Sequence, residues 1–348
     1  MNNFFNTDLK QPDYRIIVNG RDISALVSNR IISLTHTDSR GMQADTLQID
    51  LQDSTNDLEL PPLAASISLA IGWKNSPLED KGIYTVSELE YSGTPNKLSL
   101  SATSADLRGT NKSGLSANKS RSFHKTTLGN IVEQIAKEHS LIPRISSNFK
   151  TIAIEHIDQT EESDIQFLTR LARNNKAFMN IKSDHLLFVV QGVGTSVTGK
   201  KIPPVKVNIE ECSSFSFRRQ SRNEFTGVIA YWNNIKGAKR QQVLYGTAEN
   251  TRELTGTFSN ADEALRAAQS ELEQLMRSTK ALNLSLKVGR QEIETGFYLE
   301  VSGFKPEIQE IEWEISSVTN TINDQGFVTH IEAEPLNSQN EITEPALG

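Results

Sequence analysis

The amino-acid sequence predicts a mainly β protein with an α+β middle region, on three observations. Strand-length runs separated by turn residues fill residues 14–107, comparable runs return after Pro203-Pro204, and two helix-period segments with a hairpin pattern stand between them. A chain of 348 residues is also too long for one ordinary core. Three domains are therefore expected: residues 1–108 as a first β domain, 109–205 as an α+β middle domain, and 206–340 as a second β domain. The last carries a helical insert near 236–281, and residues 341–348 form a tail.

In the first region, residues 14–18 lead into Asn19-Gly20, the dipeptide that most readily supplies positive φ for a tight hairpin. Thr46, Gln48 and Asp50 alternate with Leu47, Ile49 and Leu51, the period of a strand with one buried face. Runs at 67–73, 83–90 and 97–103 complete the set, and many short strands at this spacing favour a small barrel or a sandwich. Residues 108–122 turn to Gly, Asn, Lys and Ser, the composition of a linker or mobile loop.

Leu128, Ile131, Val132, Ile135 and Ala136 then mark an amphipathic helix, broken near Ser140 and ended before Pro143. The next helix is marked most clearly. Ser163 and Gln166 have capping-box spacing, so it should start near Asp164. Ile165, Leu168, Leu171 and Ala172 give it one apolar face, and Asn174-Asn175 tolerate the left-handed geometry that stops a helix. Runs at 177–181 and 185–190, hinged at Ser183-Asp184, read as a β-hairpin.

The third region returns to strands at 213–218, 227–232, 282–288, 298–301, 312–320 and 327–333. One helix interrupts them, with Asn260 and Glu263 spaced as a cap and Ala264, Leu265, Ala268, Leu272, Leu275 and Met276 along one face. Glu310, Glu312 and Glu314 share parity, so a regular strand would place them on one face and Ile311, Trp313 and Ile315 on the other. The two β regions share no residue-level repeat.

Hydrophobic content of 36% and charged content of 23% are those of a globular protein. No run approaches the roughly 18 apolar residues of a bilayer crossing, and the N-terminus lacks the pattern of a secretory signal. Cytoplasmic accumulation is therefore expected. Cys212 is the only cysteine, which excludes an intrachain disulfide and multi-cysteine metal sites. A net charge of -7 argues against a surface that grips nucleic acid throughout. Arg108, Lys112, Lys119, Arg121 and Lys125 form a basic stretch, read as solvated, and Glu292, Glu294, Glu300 and Glu307 weight the C-terminal part acidic.

Motifs with catalytic potential fail on context. Residues 194–201 are one residue short of a phosphate loop: Lys201 replaces the hydroxyl that binds magnesium, and Pro203-Pro204 stands where the helix should begin. Gly114-Leu115-Ser116-Ala117-Asn118 lacks the second glycine of a nucleophile elbow. His36, His124, His139, His156, His185 and His330 are scattered without ligand spacing. No catalytic, cofactor-binding or metal-binding residue is assigned, and no helix-turn-helix, zinc finger or RNA-binding signature is present.

One resemblance gathers these segments. The stretch from Gln159 to Val190, the runs 82–93 and 104–109, Thr127-Leu128-Gly129-Asn130-Ile131 through His139, Gly227-Val228-Ile229-Ala230-Tyr231-Trp232, the alanine-rich 261–277 and Gly303-Phe304-Lys305-Pro306 follow in order a known pattern. It resembles the late control protein D family, baseplate hub proteins of contractile phage tails related to the hub portion of VgrG spikes. Leu272 departs from it, where many relatives carry tryptophan. The resemblance implies two small β-barrels, the second discontinuous, and a helix-and-hairpin domain between them. It also implies a non-enzymatic homotrimer with pseudo-sixfold symmetry in the virion baseplate. Its partners would be the tail tube protein, the central spike protein and the tape-measure protein. An acidic passage lined in part by Glu310, Glu312 and Glu314 is a further expectation. The alternative, a tail-associated cell-wall hydrolase, rests on the abundance of carboxylates.

Overall fold

A computed structural model describes residues 10–40, 44–104, 114–115, 117–182, 185–190, 203–220, 225–234, 239–277 and 279–336. The first region holds β1 (Pro12–Val18), β2 (Arg21–Asp22), α1 (Ser24–Val27), β3 (Ile31–Ser39), β4 (Thr46–Gln52), β5 (Ser66–Trp73), β6 (Glu79–Ser92) and β7 (Lys97–Ser104). Asn19 and Gly20 join β1 to β2 with φ of 48° and 82°, the doubly left-handed turn expected of this dipeptide.

The middle region runs β8 (Asn118–Thr127), α2 (Leu128–Glu138), β9 (Ile142–Ile145), α3 (Ser147–Lys150), β10 (Ala153–Ser163), α4 (Asp164–Asn174), β11 (Ala177–Lys182) and β12 (His185–Val190). Both arms of the α4 capping box form: the Gln166 amide donates to Ser163 Oγ at 3.3 Å, and the Ser163 amide donates to Gln166 Oε1 at 3.0 Å. Ser163→Ala is therefore expected to lower stability by about 0.5–2 kcal/mol. Urea denaturation measures this, with the loss falling on amide protection in the first turn of α4. The helix does not end on a left-handed asparagine. Asn175 has φ −117° and donates from Nδ2 to the Leu171 carbonyl at 2.8 Å, while Lys176 takes the left-handed geometry at φ 54°.

One expectation for this region is corrected, and one strand was not expected. Residues 118–122 are strand rather than linker, because β8 pairs antiparallel with β10 from Asn118↔Ser163 to Thr127↔Ala153. β10 leaves no clear strand pattern in the sequence because a register shift between Gln159 and Glu162 interrupts its alternation, and Glu161 within the shift takes φ 50°.

The last region holds β13 (Val205–Asn208), β14 (Cys212–Arg219), β15 (Gly227–Asn234), β16 (Lys239–Gly246), β17 (Thr251–Glu253), α5 (Ala261–Arg277), β18 (Lys280–Leu286), β19 (Tyr298–Ser302), α6 (Pro306–Gln309), β20 (Trp313–Asn323) and β21 (Gly326–Pro335). β15 leaves the main sheet: with β16 and β17 it forms a three-stranded sheet under α5, closed by Val228, Ala230, Ala264, Ala268 and the fully buried Leu272. The Glu310–Glu312–Glu314 strand face is also corrected. Pro306 starts a helical turn that carries Glu310 as its C-cap, and β20 begins only at Trp313. Trp313, Glu314 and Ile315 are all buried, and Glu314 accepts from Arg40 Nη1 at 2.7 Å.

Where two separate barrels were expected, strand pairing runs through one continuous sheet in the order β14-β18-β21-β20-β3-β4-β7-β6-β5-β1-β2, with β19 and β13 branching from β20. No pairing among the described residues closes this path into a barrel. The β20–β21 hairpin explains the fusion. Its tip residues Ile322 and Phe327 pack with Leu34, Ile49 and Tyr84, while Ile315, Val318, Ile331 and Ala333 pack with Leu284, Trp313 and Val301. One hairpin thus serves two cores, and β3 pairs with β20 from Ser33↔Asn323 to Ser39↔Ser317. Polar contacts fasten the same junction: Trp73 Nε1 donates to the Gly289 carbonyl at 3.1 Å, Lys81 Nζ to the Gln291 carbonyl at 2.6 Å, and the Thr295 amide to Asp38 Oδ2 at 3.0 Å.

Candidate functional site

Asp164, at the first turn of α4, is the centre of a buried charge network built from four elements. Lys119 Nζ on β8 donates to Oδ2 at 2.6 Å, Arg121 Nη2 on the same strand to Oδ1 at 2.6 Å, and Gln159 Nε2 on β10 to Oδ1 at 2.9 Å. His139, capping α2, places Nε2 2.7 Å from Oδ2. Strand alternation points Lys119 and Arg121 to one face of β8, which is why both reach the same carboxylate. Burial alone would raise the Asp164 pKa, but hydrogen bonds from His139, Lys119 and Gln159 and the charge of Arg121 outweigh it and hold the carboxyl below the usual carboxylate range. Glu138 is lowered in the same way, with burial opposed by Gln134, Arg121 and Lys119.

Glu138, His139 and Asp164 bring one donor atom each within 4.8 Å of one another, a spacing that a metal ion can use. The remaining chemistry does not fit one. Lys119 and Arg121 already occupy both Asp164 oxygens and both also reach Glu138, so an added dication would meet two fixed positive charges. The cluster is an ion-pair core that ties β8 and β10 to the two helices. The basic stretch at Lys119 and Arg121, read from sequence as solvated, is thus absorbed into the fold.

The histidines are not gathered. His36 is buried edge-on to Tyr84 at 5.8 Å, His330 Nδ1 lies 3.0 Å from Ser285 Oγ, and His185 stands near Arg144. His124 and His156 do stack across β8 and β10, at 4.5 Å between centroids, with His156 Nε2 3.1 Å from Asp158. Leu115 of the elbow-like segment is buried in the middle core, and residues 194–201 lie outside the described residues. Cys212 is a buried free thiol whose pKa is pushed up by burial, consistent with passive packing.

The shared sheet offers the most extensive organised surface. Its buried face carries the apolar residues of both β cores. On the other face, successive Cα partners form a lateral row, one residue per strand: Ser214, Ser285, His330, Thr319, Thr37, Thr46, Thr103 and Thr85. Neighbours in the row touch through side chains, with Thr37 Oγ1 3.2 Å from Thr319 Oγ1. The next row runs Val328, Thr321, Thr35, Gln48, Ser101 and Glu88. Across β20 and β3 this face is Ser317, Thr319, Thr321 and Asn323 beside Ser33, Thr35, Thr37 and Ser39, without a charge. The charges on this face stand outside that pair of strands, with Glu332 of β21 opposite Ser317, Asp50 of β4 opposite Ser33, and Glu88 and Glu90 on β6.

Two strand edges that border this face are unpaired among the described residues. β14 pairs with β18 on one side only. β6 is shared: its first half pairs with β5 up to Thr85, Val86 bonds Ala64 and Ala65, and residues 87–92 pair with β7 alone. An exposed strand edge is a template for pairing with another chain. The strand patterns of β14 and β6 are local, whereas the open edge of β14 and of the second half of β6 is a property of long-range register.

The chain thus presents open strand edges beside a hydroxyl-rich sheet face. The chain belongs to the phage tail baseplate hub (GPD) family, which it matches over residues 86–326. It is 35% identical over 363 aligned positions to the probable baseplate hub protein of Escherichia phage P2, covering 93% of each chain. Among solved structures, a tail protein from Neisseria meningitidis MC58 shares the fold with a TM-score of 0.70 at 12% identity, over 93% of this chain and 96% of that one. An Escherichia coli component of the type VI secretion system aligns with a TM-score of 0.54 at 15% identity, over 91% of this chain and 76% of that one. The protein is a baseplate hub protein of a phage tail or a related injection system.

Proposed function

We propose that three copies of this protein close into a ring with pseudo-sixfold character that joins the tail tube to the central spike. The observation that carries this reading is the pair of free edges, β14 and residues 87–92 of β6, on either side of one eight-strand run of polar-faced sheet. A subunit with two different unpaired edges makes heterologous contacts, which propagate in one direction and close when the rotation permits. With a strand-rich region contributed from each half of the chain, three copies supply six similar units to match a hexameric tube, while the threefold symmetry matches a trimeric spike. The separate apolar clusters support the division into two β domains, a middle α+β domain and an inserted sheet-and-helix unit. The barrels expected from the family would then be completed between subunits rather than within one.

In this ring the hydroxyl-rich face, uncharged across β20 and β3, is the wall of the passage for the genome and the tape-measure protein. The work is structural: symmetry adaptation and a low-friction channel, without catalysis. Light scattering over a concentration series, with and without the spike protein, tests the ring. The expected result is the mass of a trimer in at least the mixed sample. A strict monomer in both removes the proposal.

A further inference from the structure

We infer that the ring's joint is an antiparallel pairing of β14 of one copy with residues 87–92 of β6 in the next, in the register Arg218 opposite Glu88, Phe217 opposite Leu89, Ser216 opposite Glu90 and Phe215 opposite Tyr91. The inference rests on the ring reading and adds to it the strands, direction and register of the interface. Three independent features of the sheet select it.

Direction comes first. The strands β14, β18, β21, β20, β3, β4, β7 and β6 are eight in number, and each pairs antiparallel with the next. An even count makes β14 and β6, the outer strands of this run, point in opposite directions. Rotation about an axis parallel to the ring's bore preserves each strand's sense, so the edge of one copy meets the edge of the next antiparallel and with the same face inward.

Apolar matching comes second. On the core side of β14, Phe215 and Phe217 pair with Leu284 and Leu282, yet Phe215 remains 48% exposed, covered on one flank by Phe304 at 5.1 Å. On the core side of β6, Leu89 and Tyr91 pair with Leu100 and Leu98, and Tyr91 remains 41% exposed. Each edge thus leaves an aromatic residue half covered, on the face that the partner strand would extend. Large apolar side chains directly opposite each other across antiparallel strands are stabilising pairs.

Charge comes third. On the polar side, β14 carries Arg218 one residue before its end and the free segment of β6 carries Glu88 and Glu90. All three are exposed and have no ion-pair partner among the described residues. The antiparallel direction brings the C-terminal end of β14 to the start of the β6 segment, and the register that stacks Phe217 on Leu89 sets Arg218 against Glu88 with Glu90 diagonal to it. The opposite direction would set Arg218 beside Ser92 and leave the two glutamates facing serines.

Reciprocal charge reversal and a cysteine pair test the joint on the full-length protein. Arg218→Glu should weaken ring formation at least tenfold by light scattering, because it places like charges opposite one another. Combining it with Glu88→Arg and Glu90→Arg should restore assembly to within about threefold of the parent. Thermal melts of the variants confirm that they fold. In a Cys212→Ala background, Ser216→Cys with Glu90→Cys should give oxidised trimers on a denaturing gel, since directly opposed strand positions have the Cα separation that a disulfide needs. Ser216→Cys with Thr35→Cys, far from the joint, should not. A ring that tolerates Arg218→Glu and forms no Ser216–Glu90 disulfide overturns this joint while leaving the trimer standing. A chain that stays monomeric under all conditions removes the ring and the joint together.

Discussion

Asp164→Ala is expected to lose about 3–5 kcal/mol of stability, the cost of removing one partner from a buried charge network. The carboxylate is fully buried, and its four contacts come from β8, β10 and the end of α2. Their loss would leave the Lys119 and Arg121 charges facing a cavity with only Glu138 to answer both. Urea denaturation with a probe in the middle region measures the loss. The pH dependence separates this role from simple packing. Because the folded-state pKa of Asp164 lies below its unfolded value, the unfolded chain binds the proton first as pH falls. The network's contribution is then fully present above the usual carboxylate pKa near 4 and drains away as pH drops through the folded pKa. The parent should lose this increment below about pH 4, while Asp164→Ala should show a flatter acid limb over the same interval. Parallel acid limbs for the two proteins would show that Asp164 contributes shape rather than charge.

What the sequence disclosed and what it concealed divides along the range of the interactions. The Ser163 and Gln166 cap, the Asn19-Gly20 turn and the apolar face of α4 were legible because each is settled within a few residues of chain. Glu310, Glu312 and Glu314 misled because parity assumes a regular strand, and Pro306 had already committed the preceding turn to helix. β10 was invisible since its two faces differ little in polarity and its alternation breaks at the bulge after Gln159. Apart from Gln159, the partners of Asp164 lie 25 to 45 positions away, where no local pattern operates. The hydroxyl face is concealed more subtly. Thr37, Thr46, Thr103 and Thr319 are ordinary strand residues one at a time, and only the long-range register sets them side by side. Family resemblance reached the function where local physics stopped, while the continuity of the sheet emerged only from its strand pairing.

Thr35→Lys combined with Thr319→Lys is expected to arrest or greatly slow genome passage through assembled particles, with assembly itself intact. The expectation follows from the proposed wall and from the absence of charge across β20 and β3 on that face. In a trimeric ring the pair would place about six ammonium groups around the bore, and each lysine that meets a phosphate releases condensed counterion and adds favourable binding. A protein making 6–10 such contacts holds DNA about 10³–10⁵ more tightly at 50 mM than at 200 mM salt, so the block should be severe at low salt and relieved as salt rises. DNA release from purified particles, followed by dye fluorescence across a salt series, reads the effect. Thr35→Gln with Thr319→Gln supplies comparable bulk without charge and should pass DNA at close to the parent rate. If the lysine variant assembles normally and releases DNA at the parent rate at low salt, the hydroxyl face does not line the bore. If the lysine and glutamine variants slow release equally and without salt dependence, bulk rather than charge governs passage, and the neutrality of the wall is not what lets the genome slide.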